Sequence, residues 1–157
     1  MSSKSSSEAP MWLKGVCRLC DGLRDWARRR RWREERALGR RAEDVAHRYL
    51  EAEGLTVVDR NWTLPDRGAE VDLVAWDGDT VVFVEVKSRR EPLAGDPQRA
   101  IDRDKRRRIV RAARIFLRRW RIPPERARFD VVTVVFEPYQ VRHYRDAWSM
   151  RDWDRLS

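Results

Sequence analysis

Residues 70–89 read EVDLVAWDGDTVVFVEVKSR. Two apolar runs, VDLVAW and TVVFVEVKSR, meet at Asp77-Gly78. Val, Phe and Trp suit a pleated, half-buried surface, and a short Asp-Gly link between two such runs predicts a β-hairpin turning with positive φ at both central residues. With that turn Trp76 pairs with Asp79, Glu70 falls opposite Glu85, and Asp72 falls opposite Phe83, diagonal to Glu85. Side chains alternate across a strand and opposed residues point the same way, so Glu70, Asp72, Glu85 and Lys87 converge on one surface. Moving the pairing by two residues preserves this convergence, whereas moving it by one undoes it.

Upstream of the hairpin, Leu38, Ala42, Val45, Ala46 and Tyr49 recur at helical spacing, and Gly54 supplies a stop. Glu43 projects from the edge of that stripe. Leu55 to Trp62 predicts a first strand, and Pro65-Asp66-Arg67-Gly68 a turn. Ala69 to Trp76 and Thr80 to Arg89 are the second and third strands. Downstream, Asp96-Pro97 reads as an N-cap followed by proline, opening a long helix that ends near Ile122 before Pro123-Pro124. Its apolar face carries Ile101, Ile109, Ala112, Ala113, Phe116, Leu117 and Trp120. The opposite face carries Arg103, Arg107, Arg111, Arg114, Arg118 and Arg121. Phe129 to Phe136 is a β-branched strand and Gln140 to Tyr144 a last edge strand. The order α-β-β-β-α-β-β belongs to the α/β class, a mixed β-sheet flanked by helices.

That domain is expected over residues 37–157. Residues 1–36 form an appendage: a Ser-rich, disordered tail over residues 1–10, then Trp12, Val16, Leu19, Leu23 and Trp26 at helical spacing, then Arg28-Arg29-Arg30-Arg31. A basic amphipathic segment of this kind suits nucleic acid, a membrane surface, or its own domain.

The chain has 157 residues, with 35 Lys and Arg against 26 Asp and Glu and a formal net charge of +9. Clustered arginines favour a polyanionic partner, which the composition narrows to nucleic acid or an anionic membrane surface. Cys17 and Cys20 are too few for a disulfide framework, and with no second Cys pair and with His47 and His143 far apart in sequence they read as two ordinary thiols on a helix before half a zinc site. A reducing, cytoplasmic and nucleoid-associated location is expected. No secretory signal or membrane-spanning run interrupts the polar N-terminus.

Carboxylates sharing one face repel each other unless a cation compensates. Mg²⁺, or Mn²⁺, takes a few carboxylates and keeps several waters, and beside a phosphodiester it polarises an oxygen and activates water. Lys87 is placed to orient that water or to offset developing charge. The plainer reading of Glu85 and Lys87 is a mutually neutralised pair on a solvated sheet face. The apolar run VVFVEVK argues for a covered central strand, where charges call for a reason. Lys105 reaches either toward this face, to touch phosphate, or out to solvent. Asp130 reads first as the partner of an inward arginine or lysine. Arg89 and the arginine row Arg103, Arg107, Arg111, Arg114 and Arg118 suit the phosphate backbone. Trp62, Trp76 and Trp120 are expected in the core, whereas Trp12, Trp26 and Trp32 are free to stack on bases or anchor at a membrane interface.

The residues Gly39-x-x-x-Glu43-x-x-Ala46, Tyr49-Leu50, Gly54, Asn61, Glu70-Val71-Asp72-Leu73-Val74, Val82 to Arg89, Lys105, Ala112 and Arg128-Phe129-Asp130-Val131-Val132 together resemble the YraN-like (UPF0102) family of bacterial proteins, within the PD-(D/E)XK nuclease superfamily. They span about residues 38–135. Ala69 departs from the glycine usual before the glutamate, and the Trp/Arg-rich extension lies outside the family core. The resemblance implies a restriction-endonuclease-like core similar to archaeal Holliday junction resolvases. By that resemblance Asp72 and Glu85 are metal ligands, Lys87 is the catalytic lysine and Glu43 completes the acidic cluster, with Glu70 behind it. The expected function is a Mg²⁺-dependent, structure-selective DNA endonuclease acting on branched or duplex DNA, with a homodimer supplying two sites. Two alternatives stay open: a nucleic-acid-binding module that does not cut, and a membrane-surface protein attached through its basic N-terminal helix.

Overall fold

The computed structural model describes residues 11–66, 68–91 and 101–150, with side chains from residue 24 onward. Its elements are α1 (Met11–Ala52), β1 (Thr56–Thr63), β2 (Glu70–Asp77), β3 (Thr80–Arg89), α2 (Arg103–Trp120), β4 (Ala127–Phe136) and β5 (Tyr139–Trp148). The order is the one the sequence predicts. The chain divides into two compact units, Met1–Ala37 and Leu38–Ser157. The Ser-rich tail lies outside the described residues, as does the expected Asp96-Pro97 cap.

The sequence reading separates the basic segment from the helix that begins near Leu38, but the structure has a single helix of 42 residues. No proline interrupts it, and its Arg, Glu, Leu and Ala residues are strong helix formers. In the first unit residues 24–37 are exposed. Arg28 pairs with Asp25 at 2.7 Å and Arg30 with Glu34 at 3.2 Å. Each such pair supports a helix by a few tenths of a kcal/mol. Arg30 lies over the Trp26 ring at 5.5 Å and Arg36 over Trp32 at 4.5 Å. In the second unit α1 ends as predicted at Gly54, which takes φ 91°. Leu55 N–H donates to Leu50 O and Gly54 N–H to Glu51 O, both at 3.0 Å, satisfying the last carbonyls.

The five strands form one mixed sheet in chain order. The β1–β2, β2–β3 and β4–β5 pairs are antiparallel, and β3–β4 is parallel. A parallel seam needs a crossover, which α2 supplies. The near-continuous apolar runs of β3 and β4 fit strands covered on both faces. On one face Val74, Val81, Phe83, Phe129 and Val131 pack under Ile109, Ala112, Ala113, Phe116 and Leu117 of α2. On the other, Leu73, Ala75, Val82, Val84, Val132 and Val134 pack under Ala42, Ala46 and Leu50 of α1. Fully burying a side chain such as Leu50 or Phe83 contributes roughly 1.5–3 kcal/mol. This arrangement is consistent with the core that the family resemblance implies.

Four details differ from expectation. The hairpin turns on Gly78-Asp79, because Asp77 still pairs with Thr80. Of those two residues only Gly78 takes positive φ, 57°, so the turn needs glycine first and not two left-handed residues. Second, α2 is capped by Asp102, whose carboxylate accepts from Lys105 N at 2.7 Å, and ends at Trp120, with Arg121 in the left-handed region. Third, Trp120, the last residue of α2, is 61% exposed, while Trp62 and Trp76 are partly buried against the core. Finally, β5 extends to Trp148, well beyond Tyr144. No described helix is long and apolar enough to cross a membrane.

A Cβ at Gly78 would meet nothing within 4 Å, so a substitution there changes backbone strain alone. Gly78→Ala is expected to cost about 1 kcal/mol in urea unfolding, and Gly78→Asn distinctly less. Equal losses for the two variants would contradict the assignment.

Candidate functional site

The β2–β3 ladder runs from Asp77↔Thr80 to Leu73↔Val84. At that point the strands part, and the next residues in the register are Asp72 and Glu85. Val86 N–H donates to Asp72 Oδ2 at 2.7 Å, so a side-chain carboxylate stands in for the missing strand partner. The register is two residues from the predicted one, which keeps the faces and brings Asp72 directly beside Glu85, no longer diagonal to it. Both carboxylates, and Lys87, lie on the α2 face of the sheet.

Glu85 is 2% exposed. Lys87 Nζ donates to its Oε1 at 2.8 Å. Lys105, from the first turn of α2, brings Nζ to 3.2 Å from Oε2. That pairing supplies charge without the alignment of a hydrogen bond, and Oε2 is a buried oxygen with no donor. Burial, followed by the adjacent negative charge of Glu85, pushes the Asp72 carboxyl up to about 7. Burial pulls the Lys105 ammonium down, but Glu85 and Asp72 outweigh it and raise it above the ordinary lysine value. The site is thus two adjacent carboxylates and two lysines at the point where two strands separate.

The other predicted residues are placed around it. Glu43, half-buried on α1, accepts from Asn61 Nδ2 at 3.3 Å, and its charge reaches Asp72 more weakly than that of Glu85. Asn61 takes φ 52°, a conformation asparagine tolerates better than most residues. It was legible only as part of the family pattern, not as a support for Glu43. Glu70 is exposed and acts on Lys105 through its charge. Arg89 donates to Ser88 O at 3.1 Å. Arg103, Arg107, Arg111 and Arg118 are exposed and Arg114 is half-buried. Arg111 pairs with Asp66 at 2.6 Å. Asp130 lies on the opposite face of the sheet, bound to Arg128 and His143.

Among the described residues no group of three or more His, Cys, Asp and Glu side chains is placed to hold a metal ion. Asp72 and Glu85 alone suit an ion of the Mg²⁺ kind, which takes one or two carboxylates and keeps much of its water. A buried carboxylate oxygen met only by an ill-aligned ammonium, and a carboxyl driven toward neutrality by burial and then by its neighbour, are what such a cation would relieve.

The family described as "Uncharacterised protein family UPF0102" matches residues 42–134, a stretch that includes Glu43, Asp72, Glu85, Lys87 and Lys105. A UPF0102 protein of Solibacter usitatus (strain Ellin6076) is 45% identical over 113 residues, which cover 72% of this chain and 84% of that protein. One of Rhodococcus opacus (strain B4) is 45% identical over 116 residues, 71% of this chain and 96% of its own. One of Pseudomonas aeruginosa (strain LESB58) is 48% identical over 99 residues, 61% and 76% respectively.

Proposed function

This chain belongs to the UPF0102 family, and we propose that it hydrolyses phosphodiester bonds in DNA, as a divalent-metal-dependent endonuclease acting on branched or duplex substrates. One observation carries the reading. Asp72 and Glu85 stand side by side where β2 and β3 part, with Lys87 and Lys105 both on Glu85. An ordinary solvated ion pair does not need a second, half-buried carboxylate beside it.

When bound, a Mg²⁺ or Mn²⁺ ion held by Asp72 and Glu85 supplies a polarised phosphoryl oxygen and a more acidic water. Lys105 fixes the Glu85 carboxylate from the α2 side. Lys87, on the strand and partly open to solvent, presents its ammonium to the attacking water or to a non-bridging phosphate oxygen, offsetting charge that grows in the transition state. Glu43 and Glu70 add negative charge at the rim. The exposed arginines Arg103, Arg107, Arg111 and Arg118 take the phosphate backbone, with Arg89 and Arg114 partly open beside them. Cutting both strands of a branched substrate calls for two sites, and so for a second copy of the chain.

The second reading, a binding module that does not cut, is favoured by both lysines already being engaged with Glu85. Incubating the purified full chain with branched, duplex and single-stranded DNA, in Mg²⁺, Mn²⁺ or chelator, separates the two. Cleavage is expected only with metal and is expected to fall at least ~100-fold in Lys87→Ala while DNA binding persists. Binding without cleavage of every substrate in both metals would establish the module instead.

A further inference from the structure

Beyond the acidic site, the α2 face of the sheet carries an open cavity of about 530 Å³, lined by Val58, Asp59, Trp76, Phe116, Trp120 and Ile122. Its walls are aromatic and aliphatic except for one carboxylate. Trp120 is 61% exposed and Val58 50%, an unusual amount of apolar surface to leave in water beside a cavity. The wall is firmly backed. Phe116 lies 6.2 Å from the Trp120 ring and is met edge-on by Trp62 at 5.5 Å and Phe83 at 5.6 Å.

The rim is basic. The Arg119 guanidinium lies 5.9 Å from the Trp120 ring, and Arg121, the next residue along the chain, is exposed. The cavity is also in line with the acidic site. Trp76 and Asp72 share the same face of β2, about 13 Å apart at ~3.4 Å per residue. Along α2 the path from Lys105 to Trp120 is about 22 Å at ~1.5 Å per residue, and exposed Arg107, Arg111 and Arg118 line the outward side of the helix between them.

We propose that this cavity takes an unpaired nucleobase of a DNA strand whose phosphates run over the arginines of α2. A flat, apolar-faced ring suits the walls, and a phosphate chain suits the rim. Asp59 repels phosphate and accepts from an exocyclic base amine, so the base edge enters and the backbone stays outside. The inference rests on the proposed action on nucleic acid and deepens it. It names a distorted or branched duplex, with a base free of its partner, as the preferred substrate.

The test is fluorescence anisotropy in chelator, with the full chain and two labelled probes: a perfect duplex and the same duplex with a single bulged base. The wild-type chain is expected to favour the bulged probe by roughly 5- to 150-fold, the ~1–3 kcal/mol of one stacked base. Trp120→Ala, at a position 61% exposed, is expected to bring the bulged probe down to the duplex value. Trp120→Phe is expected to keep part of the preference. Equal binding of the two probes by the wild-type chain overturns the cavity assignment and leaves action on DNA standing. No binding of either probe overturns both. If Trp120→Ala leaves DNA binding unchanged but weakens self-association in sedimentation, the cavity is a protein contact and the proposal is wrong.

Discussion

Replacing Asp130 by alanine is expected to bring the domain to the edge of unfolding. Asp130 is fully buried, and four hydrogen bonds hold its carboxylate. Arg128 Nε donates to Oδ1 at 2.9 Å and Arg128 Nη2 to Oδ2 at 3.1 Å. His143 Nε2 lies 2.8 Å from Oδ2, and Asp146 N–H donates to Oδ1 at 2.9 Å. Burial pushes the Asp130 carboxyl up, but the bonds from His143, Arg128 and Asp146 N–H outweigh it and hold it below the ordinary range. Removing one partner of such a network typically costs ~3–5 kcal/mol, because the groups left behind stay buried. Asp77 still serves Arg128, at 2.9 Å, but His143 and the Asp146 amide have no substitute. Against a domain stability of ~5–15 kcal/mol this is a large share. Urea unfolding followed by tryptophan fluorescence reads it directly, since Trp148 stacks on Phe129 at 5.5 Å. Asp130→Asn, which keeps an acceptor oxygen but not the charge, is expected to lose about half as much. A loss below ~1 kcal/mol for alanine would show that the network carries no stability.

Asp72→Asn is expected to have opposite effects on activity and on stability. Cleavage should fall on the order of 10³-fold, the several kcal/mol a metal ion contributes to developing charge. The metal-free protein should become more stable at pH 8. The Asp72 carboxyl, ordinarily near 3.8, is pushed up to about 7 by burial and then by Glu85. The folded state therefore holds a proton that the unfolded state releases. Below pH ~4 both states are protonated and the group costs nothing. From there to about pH 7 stability falls as pH rises, and above that the penalty is complete. Asparagine is neutral and can still accept from Val86 N–H, so it removes a penalty on the order of 2 kcal/mol at pH 8 and changes little at pH 4. Mn²⁺ should raise the melting temperature of the wild-type chain and not that of the variant. Equal destabilisation of Asp72→Asn at both pH values would refute this account.

The element order and the meeting of Asp72, Glu85 and Lys87 were legible because they rest on strand alternation, which survives a two-residue shift in register. The turn itself was not. Asp-Gly predicts two positive φ values, but Gly78 alone supplies one, and the chain closes a residue later. That small change moves Asp72 from diagonal to adjacent, with direct consequences for its charge. Lys105 was ambiguous from sequence because its reach depends on where α2 begins, and the cap is Asp102, not Asp96. Trp120 was misread as core because helical periodicity fixes which face a residue occupies, not how much of its ring is covered at the end of the helix. Arg128 as the partner of Asp130 follows from their sharing a strand face. His143 and the Asp146 amide come from β5, and no local pattern connects them to it.

The parallel seam imposes an order of assembly. Strands β1 to β3 form a meander of near neighbours, and β4 with β5 a hairpin, so both can close early. The seam joins Val81 to Ala127 across the whole length of α2, a long loop whose closure is slow and entropically costly. Asp72 and Glu85 belong to the early meander, whereas Lys105 arrives only when α2 docks. Lys87 belongs to the same meander, so Glu85 meets one ammonium there and its second only with the crossover. Closing the seam thus completes the sheet and the charge balance around Glu85 together.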